Sequence, residues 1–129
     1  MCMVDFGDGM VTPLTERNRK ARKTHRCNEC CRDIQPGETY LYETHIWEGK
    51  VNTHKTCQHC LVVRSWLLGE CGGFLYGAIE EDIREHAWEG YGVEVKMMAV
   101  GMERKWTRKD GKPWRLPRLP KVSGHSQAA

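Results

Sequence analysis

Two cysteine pairs constrain this chain more than anything else in it. Cys27-Asn28-Glu29-Cys30 and Cys57-Gln58-His59-Cys60 each set two thiols two residues apart, and 26 residues separate the pairs. Two sulfurs at that spacing can face one ion from a tight turn, because the intervening backbone amides fold towards the thiolates. Two such pairs complete a closed tetrahedral shell. That shell suits a single Zn2+ with sulfur at ~2.3 Å and leaves no position for water or substrate. The pattern predicts one structural zinc rather than a catalytic one.

The rest of the composition says why a staple is useful. At 129 residues the chain holds one domain plus tails. Its hydrophobic content is 40% and its mean hydropathy −0.65, a thin supply for a core. A domain this small leaves roughly a third of its unfolded surface exposed, and a metal is one standard remedy. The first ten residues, MCMVDFGDGM, lack the basic and apolar regions of a signal peptide. No stretch approaches the ~18 apolar residues of a membrane span. A cytoplasmic location follows as the expectation, the host cytoplasm if the chain is viral, with no membrane partner and no small-molecule substrate. Reduced thiols there favour metal binding over disulfides, and Cys2 and Cys71 read as free thiols.

Three regions are expected: residues 1–24, an irregular basic arm; 25–102, a zinc-finger domain with a helical extension; and 103–129, a basic Trp/Pro-containing segment and tail. Between the cysteine pairs, ETYLYETHIW and VNTHKT flank Glu48-Gly49-Lys50 and predict a β-hairpin with Gly49 in the turn. Helical spacing begins at Cys57 and runs to about Leu68, with Gly69 as C-cap. A second helix is expected from about Phe74 to Glu89, its outer face made acidic by Glu80, Glu81, Asp82, Glu85 and Glu89. Val93–Trp106 fits both strand alternation and a helical stripe; we read it as helix. Asp110-Gly111 then predicts a turn between short extended pieces carrying Trp106 and Trp114, and SGHSQAA a disordered tail.

A cysteine turn, a hairpin and a helix opening at the second pair together resemble a treble-clef zinc finger over about residues 25–69. The resemblance implies an α+β fold in which Cys27 and Cys30 are ligands from a zinc knuckle and Cys57 and Cys60 ligands from a helix N-terminus. A helix end suits thiolates, since its free amides and positive dipole end stabilise them. Knuckles commonly carry glycine after the second cysteine, whereas Cys31 stands here, so Cys31 rather than Cys30 could complete the first pair. His54, three residues before Cys57, is the other alternative ligand. With Ile34-Gln35-Pro36-Gly37-Glu38-Thr39-Tyr40 between the pairs, the stretch also resembles small uncharacterised proteins of bacteriophages and prophages. That resemblance implies an accessory protein that blocks a host enzyme or defence complex, much as anti-CRISPR proteins do.

Catalytic readings fit the residues less well. Some HNH nucleases carry histidines on a hairpin between two such pairs, and His45, Asn52 and His54 fall in that interval. The paired Asp-His expected at a strand end is Thr44-His45, however, and no histidine closely follows Cys60. His45 and His86 read as surface residues of the hairpin and second helix. The H-x-E and P-C-x-x-C signature of zinc deaminases is absent.

Charge points to binding. Residues 1–26 carry net +3, residues 27–102 net −6 and residues 103–129 net +6. Such asymmetry suits nucleic acid or an acidic protein surface. The expected contacts are Arg17, Arg19, Lys20, Arg22 and Lys23 in the arm, and Arg104, Lys105, Arg108, Lys109 and Arg115 in the C-terminal segment. Trp106 and Trp114 could stack on exposed bases. The sequence therefore predicts a non-enzymatic, zinc-stabilised protein that binds nucleic acid or a nucleic-acid-handling complex. A protein–protein inhibitor is the second reading and an HNH-like nuclease the third.

Overall fold

The computed structural model describes residues 12–120. Its sheet grows from the predicted hairpin. β1 (Thr12–Lys20), β4 (Thr39–Trp47) and β5 (Lys50–Cys57) form an antiparallel sheet in the order β1-β4-β5. Glu48 and Gly49 both have positive φ, 53° and 78°, and make a two-residue turn whose twist matches its strands. The short strands β2 (His25–Arg26) and β3 (Asp33–Ile34) pair around the first cysteine turn. Three helices follow: α1 (Gln58–Cys71), α2 (Ile79–Ala87) and α3 (Val93–Glu103). The protein is α+β.

β1 corrects the expectation of an irregular arm. From Thr12 the segment is a strand, with Arg17 opposite Tyr42 and Arg19 opposite Tyr40. Its residues from Pro13 to Lys20 are all exposed, so it carries no apolar alternation for a sequence reading to find. Backbone pairing to β4 holds it there. Residues 1–11 and the tail from 121 onward lie outside the described residues.

The helices shift at their ends. α1 continues through Gly69 and stops at Gly72, whose φ of 77° and N–H to the Leu68 carbonyl make the C-cap. α2 begins at Ile79 rather than near Phe74, because Tyr76 and Gly77 form a turn closed by the Ala78 N–H donating to the Leu75 carbonyl at 3.1 Å. Its buried stripe is Ile79, Asp82, Ile83 and His86. Asp82 and His86, expected on the outer face, are in fact inside and bonded to each other: His86 Nδ1–H donates to the Asp82 carbonyl at 2.8 Å. α3 is the helix expected there and buries Val95, Met98, Gly101 and Met102.

Sheet and helices meet in one core that includes Ile34, Tyr40, Val63, Leu67, Ile83, Met98 and Trp106 together with the four paired cysteines. One face of β4, carrying Leu41, Glu43 and His45, turns towards α1 and the Phe74–Tyr76 turn. There Glu43 pairs with Arg64 at 3.0 Å and accepts from the Tyr76 hydroxyl at 3.1 Å. Burial next to Glu43 pushes the Tyr76 phenol up to about 12. His45 stacks flat on Tyr76, with ring centres 4.4 Å apart, and is buried rather than on the surface. On the opposite face the β1 side chains Thr15, Arg17 and Arg19 are exposed, Tyr42, Thr44 and Lys55 are half-buried, and Tyr40 and Cys57 join the core.

Candidate metal centre

Fold geometry brings the two cysteine pairs together from opposite ends of the hairpin. Cys27 and Cys30 lie on the turn between β2 and β3. Cys57 ends β5 and caps α1, and Cys60 sits in the first turn of that helix. All four sulfurs lie within 4.8 Å of one another, and all four residues are buried. Cys27 to Cys60 and Cys30 to Cys57 each measure 3.9 Å. Four sulfurs at ~2.3 Å from a tetrahedral centre would stand about 3.8 Å apart, so the donor set fits a zinc ion without rearrangement.

The surrounding groups suit thiolates. The Glu29 and Cys57 amides each donate to Cys27 Sγ at 3.4 Å, and Trp106 Nε1–H donates to Cys60 Sγ at 3.4 Å. No side chain caps α1 and its first turn holds no carboxylate, so Cys57 and Cys60 alone occupy its positive end. Without a cation the four thiols compete for protons. Hydrogen bonds from Cys27 and its neighbours hold Cys57 far below the ordinary thiol range, while the bond to Cys27 pushes Cys30 and Cys60 up. A divalent ion relieves that competition by taking all four as thiolates.

Neither alternative ligand joins the cluster. Cys31 is exposed and has a φ of 67°, and its amide bonds back to the Cys27 carbonyl at 3.0 Å. It stands where a left-handed turn favours glycine, which accounts for its position after the second cysteine. His54 Nε2–H donates to the Glu29 carboxylate at 2.7 Å instead. The same carboxylate accepts from the Gly77 and Ile79 amides at 2.8 and 3.3 Å. Glu29, between the two ligands of the first pair, thereby closes the N-terminus of α2. Sequence reasoning missed this residue, because its partners lie 25 to 50 positions away.

The C-terminal segment folds back on the site. Lys105 and Trp106 take left-handed φ of 54° and 52°, and the Trp106 amide bonds to the Gly101 carbonyl at 2.8 Å. Two left-handed residues cost about 2–4 kcal/mol. A fully buried indole, at roughly 200 Å2 and ~25 cal/mol per Å2, returns up to about 5 kcal/mol. Burial wins, and Trp106 is fully enclosed, which corrects its expected role as a base-stacking contact. Trp114 packs edge-on against it and is half-buried, its carbonyl accepting from His59 Nε2–H at 2.6 Å. The turn between them forms, with Thr107 bridged to Pro113.

The cationic residues remain outside. Arg17, Arg19, Lys20, Arg22, Lys23, Arg104, Lys105, Arg108, Lys109 and Arg115 are all exposed. Lys55 Nζ donates to His25 Nδ1 at 3.1 Å, and the Arg19 guanidinium lies 3.7 Å over the Tyr42 ring. Desolvation first, then the charges of Lys55, Lys23 and Arg19, hold His25 below the ordinary imidazole range. Asn52, from the nuclease reading, is exposed with its amide on the Lys50 carbonyl. Cys71 is disulfide-bonded, which corrects its expected free thiol; Cys2 lies outside the described residues.

Comparison with family models, with curated proteins and with solved structures finds no match to this chain. Among the described residues no helix is long and apolar enough to cross a membrane.

Proposed function

We propose that the chain is a zinc-stabilised binding protein of treble-clef type, without catalytic activity, that engages nucleic acid through the cationic face of its sheet. One observation carries this reading. Strand register sets Arg17, Tyr42 and Lys55 in a single row across β1, β4 and β5. The rows beside it are Arg19–Tyr40–Cys57 and Thr15–Thr44–Thr53. Opposite residues share a face, so around the half-buried Tyr42 and the buried Tyr40 and Cys57 these rows present three cations and threonine hydroxyls, and no carboxylate. Glu16 and Glu43 fall in the row that faces the other way.

Such a surface neutralises phosphates and offers hydroxyls for further contacts, while zinc keeps the short scaffold rigid beneath it. Arg26 and Lys105 line one shallow depression of mixed charge near the first cysteine turn, together with Asp33 and the Arg32–Glu38 ion pair. The non-enzymatic reading draws support from the closed sulfur shell and from the commitment of His54 to Glu29. A second reading, docking on a host protein, draws on the exposed acidic edge of α2 at Glu81 and Glu85.

Fluorescence anisotropy with labelled single-stranded and duplex DNA and RNA tests the proposal. Affinity should fall steeply between about 50 and 200 mM salt. Joint reversal of Arg17, Arg19 and Lys55 to glutamate should abolish binding while zinc content stays at one per chain. Absence of binding to all four probes at low salt removes the reading and leaves the protein-docking one.

A further inference from the structure

α3 carries a second, partly exposed stripe beside its buried one. Lys96, Ala99, Val100 and Glu103 lie on it, and with Arg84, Ala87 and Trp88 at the end of α2 they line a groove of about 590 Å3. Trp88 stands at its rim, 86% exposed, the most exposed large apolar side chain among the described residues. An indole left in water beside an apolar hollow marks a contact surface.

The order of charges along the stripe makes it complementary to an antiparallel copy of itself. Lys96 is a cation at one end and Glu103 an anion at the other, and neither has an ion-pair partner among the described residues. The midpoint between them falls between Ala99 and Val100, both half-buried. Seven residues make two helical turns, about 10.5 Å. A second α3 laid antiparallel over the first, with a twofold axis at that midpoint, sets each Lys96 against the other copy's Glu103. The small Ala99 side chain lets two helices approach within the usual 8–10 Å or so. Knob and hollow also share one face, so the same rotation carries each Trp88 towards the other copy's groove. A twofold contact buries the same patch on both copies, and this stripe with one cation and one anion is complementary to itself.

We infer that this face is a twofold interface between two copies of the chain, an antiparallel α3–α3 contact closed by two Lys96–Glu103 pairs and flanked by two Trp88 indoles. It lies apart from the basic sheet face and does not depend on the nucleic-acid reading.

Sedimentation equilibrium on the zinc-loaded chain, without nucleic acid, tests it. The wild type should move reversibly between one and two chain masses with concentration. Lys96→Glu and Glu103→Lys each create like-charge contacts at both ends of the interface and should weaken association about tenfold. The double variant K96E/E103K regenerates both pairs in reverse and should restore wild-type association. Its charges also suit the helix ends, with glutamate near the N-terminus and lysine near the C-terminus, so the fold is not penalised. Trp88→Ala should weaken association with an unchanged circular dichroism spectrum. A wild type that stays monomeric up to about 1 mM, single variants that associate normally, or a double variant that fails to recover each overturns the inference.

Discussion

The indole N–H of Trp106 donates to Cys60 Sγ across 3.4 Å, joining positions 46 residues apart. The C-terminal turn is thereby tied to the sulfur cluster by a bond that exists only while that sulfur stays in place. Glu29 makes the equivalent link on the other side, from the first cysteine turn to α2.

Zinc removal should therefore disturb more than the sulfur cluster. Apparent zinc affinities of about 10–16 kcal/mol exceed the ~5–15 kcal/mol stability of a typical domain. A strong chelator should abolish the cooperative thermal transition and shift tryptophan emission to the red as Trp106 meets water. Extraction of one zinc per chain with both signals unchanged would falsify a structural role for the ion.

Gly101 has no room for a side chain. A Cβ there would fall within the Trp106 ring, and the residue is buried in α3. Gly101→Ala should cost roughly 2–3 kcal/mol by overpacking, despite alanine's better helix propensity. Urea denaturation measures it; a stability equal to wild type would show that Trp106 can move aside cheaply.

Cys31 is strained where glycine would not be. Cys31→Gly should keep one zinc per chain and raise stability by about 1 kcal/mol. Cys30→Ser should lose the metal. If metal content falls in the Cys31 variant and not in the Cys30 variant, the ligand assignment is wrong.

Removing the Glu29 carboxylate strands three donors at once: His54 Nε2 and the Gly77 and Ile79 amides. Glu29→Ala should cost about 2–4 kcal/mol. Hydrogen exchange should rise first in α2, whose N-terminus this carboxylate closes. Exchange that rises uniformly across the chain would count against a local link.

Acid should weaken the fold partly through His45. Burial first, then the charge of His54, lowers its pKa from 6.5, with Glu43 opposing. A folded-state value below the unfolded one means the unfolded chain binds the proton more readily. The contribution of His45 is thus complete above about pH 6.5 and is lost as the pH falls from there through the folded-state value. His45→Gln should flatten the decline between about pH 7 and 5 relative to wild type. Parallel profiles for the two proteins would exclude His45 as its source.

Local chemistry made part of this molecule legible from its residues alone. Cysteine spacing marks the four sulfurs that cluster, Glu48-Gly49 the hairpin turn, and three- and four-residue apolar steps the helices, because each signal lies within a few positions. β1 escaped because an exposed edge strand shows no alternation, and His45, His86 and Asp82 because polar side chains read as surface until their buried partners are known. The tertiary structure alone decided that Trp106 faces the sulfurs, that Glu29 closes α2 and that Arg17, Tyr42 and Lys55 share one row. Those contacts join residues that only folding brings near, so no local pattern encodes them.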